Sequence, residues 1–487
     1  CSARRKRTTR SLMSEIALEP GSFRDRTARV FYHDGKIFRG LNETALEEWQ
    51  ALSTTSFFRR LTGTGAIIPT HQCDLASLPP DARRAKVGTP LSSSDPQWAA
   101  VLEHEKLPFV SYPYEWSFAM LRDAAVLQLE LVLAGLDEGI GLKDASAYNV
   151  QWKGASPVFV DVASFYKRAE GEPWVGYRQF CQMFLYPLLL QAYRDVPFQP
   201  WMRGNIDGMD AEVCLNLLSA RDYMRGGVLA HVYLQAKAQR AYSATARDVR
   251  KDLSKAGFDK RIIKANAERL RALVTGLQWN PKQSTWSDYL KCGHYEASDA
   301  AQKQDFVRQV AGAREWNLAW DIGCNVGVFS RIVAERAKYV VAMDADYLAI
   351  DKLYQALKSE RLANILPLIV NVTDPSPNLG WRNMERKLIN ERGRPDLVLA
   401  LALIHHVVIG GNIPMAEFVQ WLRDLGGDLV IEFVTRKDPM VVTLLRNKED
   451  HYTDYNEDVF EQELAARFRI MKRQPLGSGT RIMYHAQ

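Results

Sequence analysis

Five apolar runs, 317–322, 338–344, 365–371, 396–404 and 428–434, follow one another through the last third of the chain with helical segments between them. Strands alternating with helices predict a parallel sheet with helices on both faces, because a parallel neighbour can be reached only through a crossover. The final runs, FRIMKRQP and GTRIMYHAQ, read as an antiparallel hairpin that closes the sheet. The rhythm begins after a composition shift at 278–286, QWNPKQSTW, which sets a boundary near residue 280.

The first half reads differently. Residues 29–41 form two short strands around Asp34-Gly35, a hairpin turn. Asn42 or Thr44 caps the helix of ALEEWQAL, and Thr44 with Glu47 fits a capping box. Residues 74–97, rich in Pro, Ser and Asp, form a loop; PFVSYPYEW is extended; and a helix runs from Ser117 to about Leu136. PVFVDV, 157–162, is a buried strand, and 176–194 and 209–277 are mainly helical.

At 487 residues the chain has room for two or three domains. Much of its net charge of +6 comes from CSARRKRTTR, so residues 1–20 read as a disordered basic tail. No basic stripe with interleaved aromatics follows, and a nucleic-acid partner is not expected. None of the six cysteines forms a C-x-x-C pair, so no metal site is indicated. Sparse, unclustered cysteines suit a reducing cytosol, and a cytoplasmic location is expected. The longest apolar run, FCQMFLYPLLLQAY, is too short to span a membrane and contains Pro187.

The most informative turn is WDIGCNVG, with Asp321, Gly323, Asn325 and Gly327. It lacks the three spaced glycines that a dinucleotide needs and the G-K-S/T of a phosphate loop. It offers a tight backbone with a carboxylate beside it, which suits an amine-bearing ligand. Asp344 ends the second strand, where an acid holds ribose hydroxyls in Rossmann-like folds. Asn371 or Asp374 follows the third strand, and His405 and His406 follow the fourth. Glu432 ends the fifth as a second base candidate or as an acid bound to backbone. Asp346 reads as a helix cap. Tyr289 and Tyr295 precede the first strand and either cover a cofactor or pack.

Residues 285–487 resemble the class I S-adenosylmethionine-dependent methyltransferases. The resemblance implies a Rossmann-like seven-stranded sheet. It assigns Asp321, Gly323, Asn325 and Gly327 to the methionine part of S-adenosylmethionine, Asp344 to its ribose, and Asn371 to its adenine amine. A hydroxyl acceptor needs a general base, which His405 or His406 would supply.

In the first half, Asp144 and Asn149 are five apart and Asp161 follows at the end of an apolar strand. This D-x-x-x-x-N…D pattern resembles the catalytic loop and metal-binding Asp of protein kinases, and implies an α+β kinase-like domain that takes ATP and Mg. The glycine-rich loop and the V-A-I-K lysine of that family have no counterpart here; Lys36 and Lys106 are stand-ins for the lysine. Along the whole chain, YPYEWSF, LKDASAYNVQ, PVFVDVASF and LALIHH resemble the nodulation-type methyltransferases of bacteria.

The expected organisation is a basic tail (1–20), a kinase-like domain with a helical extension (21–280) and a methyltransferase domain (281–487). The expected function is methyl transfer to a small-molecule or glycan-type acceptor. The alternatives are a bifunctional kinase and methyltransferase, or a non-catalytic cofactor-binding regulator with a pseudokinase module.

Overall fold

The computed structural model describes residues 16–80, 82–83, 97–237, 259–281, 297–446, 448–449 and 451–487. Most of the basic tail, part of the 74–97 loop, and Tyr289 and Tyr295 lie outside the described residues.

Strands β1 (Ala17–Leu18), β2 (Ala28–His33), β3 (Lys36–Leu41), β4 (Thr70–Gln72) and β5 (Ala100–His104) form an antiparallel sheet in the order β1-β2-β3-β5-β4. β2 and β3 are joined by Asp34 (φ 48°) and Gly35 (φ 73°). Two left-handed residues twist a two-residue turn to match the flanking strands. The helix Glu43–Ser53 starts one residue after Asn42, whose side chain accepts from Ala45 N at 2.9 Å. Asn42 is therefore the cap, and the Thr44 capping box does not form.

Next comes the helix Phe118–Asp137, capped by Ser117. It is followed by β6 (Ile140–Leu142), β7 (Val150–Lys153), β8 (Ser156–Phe159) and β9 (Phe165–Lys167), paired as β6·β9 and β7·β8. A sheet, a long helix and the β7–β8 hairpin enclosed by the β6·β9 pair are the α+β arrangement that the kinase-like resemblance implies.

The C-terminal sheet comprises β10 (Trp316–Ile322), β11 (Ala337–Asp344), β12 (Ile365–Ile369), β13 (Leu397–Ala400), β14 (Asp428–Val434), β15 (Ile470–Pro475) and β16 (Arg481–Ala486). Its order is β12-β11-β10-β13-β14-β16-β15, with the first five strands parallel and β16 antiparallel to both neighbours. The order reverses beside β10, and a sheet that does so opens a crevice at the carboxyl ends of the strands. Helices Val328–Ala334, Tyr347–Glu360 and Met415–Leu425 make three of the four parallel crossovers. The fourth, between β12 and β13, has only two 3-10 turns, Trp381–Asn383 and Ile389–Glu391. No α-helix forms there, because the chain is left-handed at Gly380, Arg382 and Asn383, with φ of 84°, 56° and 56°.

One buried apolar cluster runs through both halves. Trp152 meets Tyr354 edge-on at 5.5 Å, and Ala119 N donates to Asp351 Oδ1 at 2.8 Å. The segment after β12 is stitched to the first half by charge. Arg392 pairs with Glu115 at 2.6 Å, both buried; Arg24 pairs with Glu385 at 2.7 Å; and Lys387 pairs with Glu19 at 2.6 Å. Among the described residues, no helix is long and apolar enough to cross a membrane.

Candidate active site

β10 delivers Asp321 to the switch point, and the chain then turns through Gly323 (φ 80°), Asn325 (φ 49°) and Gly327 (φ 75°) into the next helix. Three left-handed residues in five make a loop that few sequences tolerate. Gly327 is required on a second count, since a Cβ there would lie 2.6 Å from Leu353 Cδ1. The N–H groups of Gly323 and Cys324 both donate to Met343 O on β11, at 2.8 and 3.0 Å, so the turn is anchored to the neighbouring strand end.

Asp321 is fully buried and accepts from Ser330 Oγ at 2.5 Å. Burial pushes its carboxyl up to about 6, with the Ser330 hydrogen bond opposing. Such a desolvated carboxylate gains most from a cationic group placed beside it. Asp344, at the end of β11, accepts from Asn325 N at 2.8 Å and from Asp346 N at 2.9 Å, and burial raises its carboxyl too. Asp344 thus holds the turn through Asn325, and Asp321 holds the start of the following helix through Ser330. Asp346 caps the helix Tyr347–Glu360 through the N–H groups of Leu348 and Ala349, as expected. Asn371 is exposed after β12, and its amide oxygen accepts from Thr373 N and Oγ1 at 3.1 and 2.8 Å. That oxygen, the atom expected to meet an adenine amine, is engaged in a local turn. Asp374 pairs with Arg203 of the first half at 2.8 Å.

The strand expected over 396–404 stops at Ala400 because Ala402 is left-handed (φ 49°) and its N–H leaves the ladder for Glu432 Oε2, 2.8 Å away. Glu432 is completely buried on β14. Its Oε1 takes Lys303 Nζ at 2.6 Å and Arg481 Nη1 at 3.1 Å, and Arg481 Nε reaches Asp438 at 2.8 Å. Burial works against the Glu432 charge, but Lys303 and Arg481 outweigh it and hold the carboxyl below its usual range. Committed to two cations and a backbone amide, Glu432 fixes a loop; the backbone-binding alternative is the one realised. Sequence reading missed Lys303 and Arg481, which come from distant segments.

His405 and His406 follow, with ring centroids 4.1 Å apart. His405 is completely buried, and burial, then His406, Arg481 and Lys303, hold its pKa well below the usual value. Of the two histidines, His405 is therefore the one packed into the core, and His406 is the one left toward the surface of the loop. His406 is half-buried, with its pKa lowered to about 4 by burial and by Arg481. This loop abuts the first turn: a Cβ on Gly323 would lie 3.4 Å from Leu403 Cδ1 and 3.8 Å from Leu401 O.

No family model matches the chain. The nodulation protein NoeA of Rhizobium meliloti is 33% identical over 466 residues, covering 95% of this chain and 94% of its own. The chain belongs to the NoeA family. Among solved structures, the N-methyltransferase NodS from Bradyrhizobium japonicum WM9, in complex with S-adenosyl-L-homocysteine, matches 42% of this chain and 98% of its own, at 11% identity and a TM-score of 0.29. An S-adenosylmethionine-dependent methyltransferase from Aquifex aeolicus matches 42% and 98%, at 16% identity and a TM-score of 0.29. The seven-stranded order of this NoeA-family member and its acid–glycine turn after β10 are those that the class I methyltransferase resemblance implies.

The NoeA-family chain has a second cleft, about 790 Å³, between its antiparallel sheet and the hairpins. Asp144, Asn149 and Asp161 do come together in it. Asn149 O accepts from Val160 N at 2.8 Å, and this joins the two loops. Asp144 is raised above its usual range by burial first and by Asp161 second. Of the two stand-in lysines, Lys36 pairs with Glu103 across β3 and β5 and Lys106 lines the cleft, while Arg39 on β3 contacts Asp161 at 2.7 Å. The signal that could have found it was position on the strand, since Arg39 sits near the end of KIFR.

Although no metal site was expected, His71, Cys73 and Glu103 place one ligand atom each within 4.8 Å of one another on the outer sheet. Lys36 Nζ lies 2.9 Å from that glutamate and competes with any ion there.

Proposed function

We propose that this protein transfers the methyl group of S-adenosylmethionine to a small-molecule or glycan-type acceptor at the carboxyl edge of β10, β11 and β13. The observation that carries the reading is the convergence of Asp321, Asp344 and the left-handed turn 323–327 on adjacent strand ends, with the Leu401–His406 loop against them. The cofactor supplies a methyl group on a sulfonium centre. Asp321 would meet its amino end and Asp344 its ribose hydroxyls. Asn371, whose amide oxygen serves Thr373, would approach the adenine by its remaining amide face. Gly323 and Gly327 let the backbone come close.

The chain's task in such a displacement is alignment and exclusion of water. The Glu432–Ala402 bond fixes the loop that bounds the acceptor side, and His406, neutral at physiological pH, stands on that loop as the candidate base. The test is calorimetry with S-adenosylmethionine and S-adenosylhomocysteine, then transfer of labelled methyl from the cofactor to panels of oligosaccharides, small metabolites, proteins and nucleic acids. Binding of both cofactor forms, with label entering the saccharide or metabolite pool, is expected. Absent cofactor binding, or label entering only protein or nucleic acid, overturns the proposal.

A further inference from the structure

The cleft between the antiparallel sheet and the β7–β8 hairpin has the chemistry of a ligand site, and its groups are not those that a triphosphate needs. Its walls carry seven Arg or Lys and eight Asp or Glu residues, so it presents no net positive field. Four of those cations are already paired: Arg24 with Glu385, Arg39 with Asp161, Lys387 with Glu19 and Arg392 with Glu115. Arg39 occupies one oxygen of Asp161, the acid on which a phosphate-bridging cation would depend.

Polar atoms without partners remain on the same walls. Arg39 and His104, both more than nine-tenths buried, leave Arg39 Nε and His104 Nε2 unpartnered, while the polar groups of Asn149 and Tyr148 stand beside them, next to Asp144 and Arg386. A buried donor or acceptor left in this state is stabilised by any ligand group that completes it. Their roles are mixed. Thr70 Oγ1 donates to Ile68 O at 3.0 Å and lies 2.9 Å from His104 Nδ1, so Nδ1 carries the proton and Nε2 is a bare acceptor. Arg39 Nε and Asn149 Nδ2 donate, and Tyr148 Oη does both. These atoms come from β3, β5 and the 147–149 turn, so they surround the space rather than line one edge of it.

We infer that this cleft binds an uncharged, polyhydroxylated ligand of the saccharide class. Sugar hydroxyls donate and accept around the whole ring and so meet mixed partners on several walls. A planar base hydrogen-bonds only in its own plane, and a triphosphate needs surplus cations. The volume lies within the roughly 300–1,000 Å³ of small-molecule sites. The far wall is built by Glu385, Arg386 and Arg392 on the segment that begins at Asn371 and Asp374 beside the β12 end, so the cleft is continuous in chain with the candidate cofactor site. Identification of this sugar with the methyl acceptor rests on the function proposed above; binding itself does not.

The test is calorimetry on the full chain with maltotriose, cellotriose and chitotriose, beside adenosine and ATP with Mg²⁺. At least one trisaccharide should bind saturably, at least tenfold more weakly in Asn149→Ala and in His104→Phe, with S-adenosylmethionine affinity unchanged within twofold. Thermal melts verify folding, and Asn149→Ala, at the cleft surface, serves if His104→Phe does not fold. No trisaccharide binding at millimolar concentration overturns the inference, and so does tighter binding of adenosine or ATP. Trisaccharide binding in a protein that fails to bind S-adenosylmethionine would uphold this inference and sink the proposed function instead.

Discussion

The N–H of Ala402, a left-handed residue, donates to Glu432 Oε2 across 2.8 Å, while Glu432 Oε1 holds Lys303 and Arg481. The acceptor-side loop is therefore set by a buried charge cluster joining β14, β16 and the helix Ala297–Ala311. Removing one member of such a cluster strands the others. Glu432→Ala should destabilise the protein by about 3–5 kcal/mol, because Lys303 loses its ion-pair partner in a dry site and Arg481 is left with Asp438 alone. Glu432→Gln, which keeps an acceptor for Ala402, should bind S-adenosylmethionine better than Glu432→Ala. Urea unfolding measures the first and calorimetry the second; an unchanged midpoint in Glu432→Ala would remove the cluster's role.

Asp321 predicts an opposition between stability and binding. Its carboxyl titrates near 6 when folded, against an ordinary value of 3.8. The folded state therefore holds the proton more tightly, and stability falls as pH rises from about 4 to 6, with the full penalty present above. Asp321→Asn removes that penalty while keeping an acceptor for Ser330. The cofactor-free variant should be more stable than the parent at pH 7.5, by an amount on the order of 2–3 kcal/mol, and nearly equal to it at pH 4. Its affinity for S-adenosylmethionine should fall at least tenfold. Melting scans at the two pH values decide the matter; a variant less stable than the parent at pH 7.5 would refute the account.

Gly327 tests the turn itself. At φ 75°, with Leu353 Cδ1 2.6 Å from the Cβ position, Gly327→Ala adds backbone strain of about 1–2 kcal/mol and a steric contact. A lower melting temperature and weaker cofactor binding are expected together. Gly323→Ala, with its nearest contact at 3.4 Å, should cost less stability. Equal melting temperatures for the two variants would show that packing at Leu353 is unimportant.

How much of this was legible in the chain follows from range. Parallel strands separated by crossovers leave a local pattern, so β10 to β14 and the hairpin β15–β16 could be read directly. Acids at strand ends are placed by the strands, which is why Asp321 and Asp344 fall on one edge. The Glu432 cluster could not be read, because its partners come from segments more than a hundred residues apart on one side and about fifty on the other. Arg39 was hidden because the kinase-like pattern asks for a lysine, whereas the site uses an arginine against Asp161. The contacts of Arg392 and Glu385 with the first half were illegible for the same reason: charges on a proline-containing loop carry no periodicity.

His405 and His406 separate a packing role from a chemical one. His405 is sealed beneath the loop, and its neutrality is enforced by burial and by the cations beside it, so His405→Asn should lower stability and leave the acidic limb of the pH–rate profile in place. His406, half-buried with its pKa near 4, remains unprotonated well below the range of an ordinary histidine. If it accepts the acceptor's proton, kcat at saturating S-adenosylmethionine should hold as pH falls from 7 to about 5 and decline only below that. His406→Ala should then lower kcat by about 10²–10⁴-fold with S-adenosylmethionine affinity unchanged. A parent kcat at saturating cofactor that declines around pH 6.5, or a His406→Ala variant of normal kcat, would assign the base elsewhere.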